Sequence, residues 1–194
     1  SRTARTALSA IFLHSNLHLS NELDGYFSLG SKTNPLLHMW SLSLEEQFYF
    51  AFPLLFIAGL TLSKWNGSRN RSVFLCCAVL VSALSLVLTL LLSFGSEIIW
   101  SLEEGRKIAF YSPFSRAWEF GVGSVVALYT SSKSAPNRDR PGLSWVAPFG
   151  LLGILLSALL INKDIVFPGY LALIPVLSTA ALLTQRASVS GVNT

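Results

Sequence analysis

From Val73 to Phe94 the chain runs without a single charged residue. An apolar run of roughly 20 residues is what a helix needs to cross about 30 Å of hydrocarbon. Leu143 to Asn162 is also uncharged and of the same order of length. Runs this long exceed a membrane-barrel strand and lack its alternation of apolar and polar positions. Backbone groups in lipid must pair within their own segment, so such runs are expected to be helices.

Three further stretches fit the same description. Leu44 to Leu62 qualifies if its first turn, with Glu45 and Glu46, lies among lipid headgroups. Pro113 to Thr130 qualifies despite Arg116 and Glu119, and Gly169 to Gln185 is shorter but in range. Ala7 to Leu19 is shorter again, and is expected to be the outer part of a truncated helix. The sequence therefore predicts an all-α, polytopic transmembrane helix bundle, with about five full spans and a partial N-terminal helix. Only 12% of residues are charged, against about 25% in soluble domains, which supports a lipid bilayer as partner. A formal net charge of +4 gives no footprint for nucleic acid. Cys76 and Cys77 are adjacent in an apolar run and are expected to be buried as small hydrophobes.

Charge asymmetry orients the spans. Lys64, Arg69 and Arg71 cluster in one connection, and Lys133, Arg138 and Arg140 in another. The excess of Lys and Arg puts Lys64–Arg71 and Ser131–Gly142 in the cytoplasm. Arg2, Arg5 and Arg186 fall on the same side in this scheme. Ser20–Ser43 and Gly95–Ser112, the latter treated as a loop, then face outward from the cell (inner) membrane.

Polar residues at the edge of a membrane helix are costly, so they usually have a task. The stretch Asn34 to Pro53 reads NPLLHMWSLSLEEQFYFAFP. Ser43 and Glu46 have the spacing of a capping box, and acids in a first turn suit the helix dipole. Glu45 and Tyr49 share a helix face that continues to Pro53, a position that favours a kink, and together they suggest a pocket wall. His38 suits a proton shuttle, a substrate contact or a hydrogen-bonded loop residue. His14 and His18 are four apart, but no acid or cysteine partner follows, so no metal site is expected. In YSPFSRAWEFGVG, Tyr111 to Gly123, Ser112 and Pro113 form a helix start. Arg116 and Glu119 are three apart, either as a structural ion pair or as part of a site. Gly121 and Gly123 allow a helix or a ligand to approach closely. Both polar groups fall at one level of the bundle, so Glu45, Glu46, Arg116 and Glu119 are expected to share a cavity.

PLLHMWSLSLEEQFYFAFPLL resembles the signature of the membrane acyltransferase 3 family, of the O-antigen acetylase type. YSPFSRAWEFGVGSVVAL and FPGYLALIPVLSTAALL are similar to two later stretches of that family, in the same order. The resemblance implies a bacterial integral membrane enzyme moving an acyl group, often acetyl, from acyl-CoA to a hydroxyl of a cell-surface carbohydrate. No other cofactor is implied. It implies that residues 1–194 are the middle of one membrane domain, inactive alone. The family's catalytic arginine–histidine pair would then lie outside this chain. His38, Glu45 and Glu46 remain as catalytic candidates. Trp40, Ser41, Gln47 and Tyr49 would bind the acceptor or organise the site, with Arg116 and Glu119 as an orienting pair. The competing expectation is a transporter or flippase for a small solute or glycan precursor, which would also place charges at bundle depth. A structural membrane subunit is a third.

Overall fold

Many serine and threonine side chains among the described residues face inward, while many leucines face outward. The computed structural model describes residues 2–22, 34–66, 70–95, 101–130, 146–162 and 165–190. These form α1 (Arg2–Ile11), α2 (Ser15–Glu22), α3 (Met39–Asn66), α4 (Asn70–Phe94), α5 (Leu102–Tyr111), α6 (Pro113–Thr130), α7 (Val146–Leu160) and α8 (Leu173–Ser190). A short 3-10 turn, Tyr170–Ala172, leads into α8. No strand occurs among the described residues, in keeping with the all-α expectation. Ser72–Phe94 of α4 is the one helix among them both long and apolar enough to cross a membrane by itself. α7 and Tyr170–Thr184 are shorter apolar helices, so the described residues confirm one of the five expected spans by this measure.

The burial pattern supplies an independent sign of lipid. The buried polar residues among those described include Thr6, Ser9, Ser15, Asn16, Ser43, Ser85, Thr89, Ser93 and Ser115. Leu8, Ile11 and Phe12 of the first hairpin are exposed, as are Leu80, Leu84, Val87 and Leu91 of α4. Only 11% of the apolar window in α4 is buried, whereas the core helix of a soluble protein would be mostly buried. An apolar exterior, with hydroxyls buried beside the aromatic and aliphatic core, suits a surrounding solvent of acyl chains. Cys76 and Cys77 follow the same rule: both are exposed on α4, contrary to the sequence expectation.

α4 and α6 lie antiparallel and are joined by hydroxyls. Ser85 Oγ donates to the carbonyl of Phe114 at 2.6 Å and accepts the N–H of Trp118 at 3.0 Å. Those two groups are four residues apart, the pair a regular helix joins directly. Thr89 Oγ1 reaches the carbonyls of Ser85 and Ser115. Ser93 Oγ donates to the carbonyl of Pro168. At Gly121 a Cβ would collide with Ser82 Oγ of α4. Gly121→Val is therefore expected to cost about 2 kcal/mol by overpacking, measured as thermal unfolding in detergent. α7 and α8 approach in the same way, with Gly150 and Gly153 against Ser178.

Several expectations change. α3 begins at Met39, a turn earlier than the run beginning at Leu44 suggests. Ser43 is thus no N-cap but an interior residue, because its hydroxyl bonds Ser15 Oγ at 2.6 Å across to α2. α3 continues through Pro53. α5 occupies part of the expected loop Gly95–Ser112, started by Ser101, whose Oγ accepts the Glu104 N–H at 3.3 Å. Span counting gives no weight to this capping signal, since the two turns that follow are too polar. Ser112 does precede α6, accepting the Phe114 N–H at 3.2 Å, with Pro113 as the first helical residue. Asn34 Nδ2 donates to Thr6 Oγ1 at 2.9 Å, which puts Arg5 at the end of the bundle where α3 starts. Arg5 therefore does not lie on the side of Lys64, as charge counting expects. Arg69, Lys133, Arg138 and Arg140 fall outside the described residues.

Candidate functional site

Where α1 turns into α2, Leu13 adopts a left-handed backbone with φ 57°. Gln47 of α3 holds that turn. Its Nε2 donates to the Leu13 carbonyl at 2.6 Å and to Asn16 Oδ1 at 3.0 Å. Asn16, fully buried, donates through Nδ2 to the Tyr111 carbonyl at 3.1 Å and more weakly to Gln47 Oε1 at 3.4 Å. Ser15 Oγ donates to the Met39 carbonyl at 2.7 Å. A polar knot thus fastens α2, the start of α3 and the end of α5 together.

Beside this knot stands an aromatic cluster. Trp40 of α3 lies 4.6 Å from Phe110 and 5.4 Å from Tyr111, centroid to centroid. Phe167 meets Phe110 at 6.2 Å. The guanidinium of Arg116 lies 5.5 Å from the Trp40 ring centroid and 6.0 Å from that of Phe110. Such contacts favour a cation over the ring face. Arg116 also forks onto Glu119, Nε to Oε1 at 3.0 Å and Nη2 to Oε2 at 2.7 Å. Both side chains keep only 17% of their surface exposed. Bidentate geometry fixes the plane of the guanidinium. Nη1 has no hydrogen-bond partner among the described residues and remains a donor to something else.

The ion pair forms one end of a cleft of about 340 Å³ between α6 and α8. Val122 and Gly123 line it on α6, and Pro175, Val176, Thr179, Ala180 and Leu183 on α8. Phe167 and Ala172 lie at the same end as the ion pair. Glu45 and Glu46 do not line it, so the shared cavity expected from the sequence holds Arg116 and Glu119 alone. The link from the first motif is Trp40, through its ring. Glu45, Tyr49 and Pro53 form an exposed stripe of α3, not the wall of this cleft. His38 is exposed, with its carbonyl accepting from Ser41 Oγ at 3.1 Å. His18 faces Glu22 at 3.4 Å on α2, so an acid does follow the two histidines, contrary to the sequence expectation.

Asn16, Ser15, Phe110 and Phe167 are structural partners of the motifs that motif reading misses. Asn16 had a signal: a carboxamide between apolar stretches is expensive unless paired. Phe167 and the α8 stripe had none, because an apolar residue in an apolar run carries no mark of its neighbours.

The site has relatives in sequence. The chain is 28% identical over 180 residues to a protein of Haemophilus influenzae named only "Uncharacterized protein", covering 92% of this chain and 69% of that one. It is 27% identical over 135 residues to "Putative peptidoglycan O-acetyltransferase YrhL" of Bacillus subtilis, covering 70% of this chain and 19% of the relative. It is 31% identical over 120 residues to "Putative membrane-bound transacylase BcsY" of Komagataeibacter xylinus, covering 62% of this chain and 26% of the relative. The chain thus spans about a fifth to a quarter of the length of these last two relatives. No family model matches the chain, and no solved structure matches it. The names of these relatives support an acyltransferase associated with a membrane.

Proposed function

We propose that this chain is part of an integral membrane O-acyltransferase that moves an acyl group from acyl-CoA to a hydroxyl of a cell-surface carbohydrate. The observation that carries the reading is the Arg116–Glu119 fork, braced against Trp40 and Phe110 at one end of a cleft. In the reaction the acceptor oxygen attacks the thioester carbonyl, the hydroxyl proton passes to a base, and the C–S bond breaks to release the CoA thiol. Negative charge gathers on the carbonyl oxygen before that bond breaks. A fixed donor aimed at such an oxygen stabilises the transition state more than the ground state. Arg116 Nη1 is the donor for this role, and Glu119 holds its plane. The base is assigned to a histidine outside this chain, as the family resemblance implies. His38, Glu45 and Tyr49, exposed on the first turns of α3 and just before it, meet the carbohydrate together with the half-buried Ser41. Glu46 and Gln47 organise the same turns.

Support for the carbohydrate comes from the relative named for peptidoglycan. In this reading Ser20–Ser43 and Gly95–Ser112, of which residues 23–33 and 96–100 lie outside the described residues, face outward, so the acceptor arrives from that side. The test is covalent. Membranes containing the full-length protein receive acyl-CoA labelled in the acyl group, and label is followed onto glycan. Glu45→Gln is expected to lower glycan labelling roughly tenfold or more. Its unfolding temperature should barely move, because exposed substitutions usually change stability by less than about 0.5 kcal/mol. Solute movement without covalent labelling would show a carrier instead.

A further inference from the structure

We propose that the α6–α8 cleft binds the hydrocarbon chain of the acyl donor, and that the group transferred is longer than acetyl. This rests on the acyltransferase reading and adds the substrate's chain length to it. An acetyl group presents one methyl, whereas the cleft offers about 340 Å³. Its α8 wall runs from Pro175 to Leu183, about 12 Å at the usual helical rise. The positions 175, 176, 179, 180 and 183 form a single stripe along the helix. Thr179 adds no polar demand, because its hydroxyl donates to the Pro175 carbonyl at 2.8 Å.

The two ends of the cleft differ in chemistry. Arg116 and Glu119 supply hydrogen-bonding groups at one end, and every side chain beyond them on α6 and α8 presents hydrocarbon. That polarity matches a thioester followed by an alkyl chain. Gly123 keeps the space open: a Cβ there would meet nothing within 4 Å. Gly121, two residues earlier, instead seats α4. The two glycines of the motif therefore do different work, one for packing and one for the cleft.

Gly123→Leu is the clean probe. Its Cβ meets open space, its side chain extends toward the cleft that Gly123 lines, and leucine suits a helix interior better than glycine does. Membranes with the full-length protein are given acetyl-, butyryl- and octanoyl-CoA. The native protein is expected to favour octanoyl over acetyl in kcat/KM by roughly tenfold or more, since each methylene removed from water adds to binding. In Gly123→Leu the octanoyl-to-acetyl ratio should fall by about the same factor. Independently of turnover, octanoyl-CoA carrying a diazirine at the chain terminus should label the α8 peptide around Thr179 and Leu183. Excess octanoyl-CoA should displace that label. A ratio that does not move, acetyl transfer with no longer chain accepted, or labelling by a diazirine phospholipid that octanoyl-CoA cannot displace would each overturn the proposal and leave the acyltransferase standing. Neither transfer nor labelling from any donor would remove the acyltransferase reading as well.

Discussion

Arg116→Ala is expected to abolish acyl transfer, by roughly a thousandfold, and to destabilise the protein at the same time. Removing one oxyanion donor typically costs about a hundred- to a thousandfold in rate. The variant also leaves Glu119 partly buried without its cation, and takes the guanidinium away from Trp40 and Phe110. Breaking a buried pair from one side costs about 3–5 kcal/mol. With 17% of each side chain still exposed, the lower end of that range applies. Arg116→Lys separates the two effects. It restores a charge near Glu119 but not the planar fork, so stability should recover in large part while activity stays low. Glycan acylation and thermal unfolding, measured on the same membrane preparations, give both readouts. Activity within a few-fold of native in Arg116→Ala would remove Arg116 from the reaction.

Asn16→Leu is expected to loosen the whole end of the bundle where α3 starts. The substitution keeps the volume similar and strands one donor of Gln47 Nε2 in a part-buried site. An unsatisfied buried group costs about 1–3 kcal/mol, and the bond to the Tyr111 carbonyl is lost as well. Gln47→Leu alone should behave similarly, by removing the bonds to Leu13 and Asn16. The double variant Asn16→Leu, Gln47→Leu should be less damaged than the sum, because partners removed together leave fewer orphans. Amide hydrogen exchange in α2 and α5 would report the loosening, and strict additivity would show that the two carboxamides are not coupled.

How much of this was legible in the chain depends on what each residue declares about itself. The helical character of the long apolar runs follows from length and the absence of charge. The Arg116–Glu119 pair follows from spacing on one helix. The start of α6 follows from Ser112 and Pro113. Ser43 misled, because its spacing to Glu46 mimics a cap while its real partner, Ser15, lies on another helix. The cleft was invisible for a similar reason. It is made by two apolar stripes from helices separated in sequence, and an empty space between two runs leaves no trace in either. Glu45 was placed in that space because depth along a helix can be counted from sequence, whereas the direction it faces around the bundle cannot.

The hydroxyls of Ser85, Thr89 and Ser93 give α4 a polar edge whose partners are carbonyls of α6 and of Pro168. Before those partners arrive, the hydroxyls can turn only onto carbonyls of their own helix, as Thr89 does onto Ser85. Polar groups facing acyl chains are costly, so α4 gains most from entering the membrane together with α6. The order of insertion is thereby tied to the helix that carries Arg116.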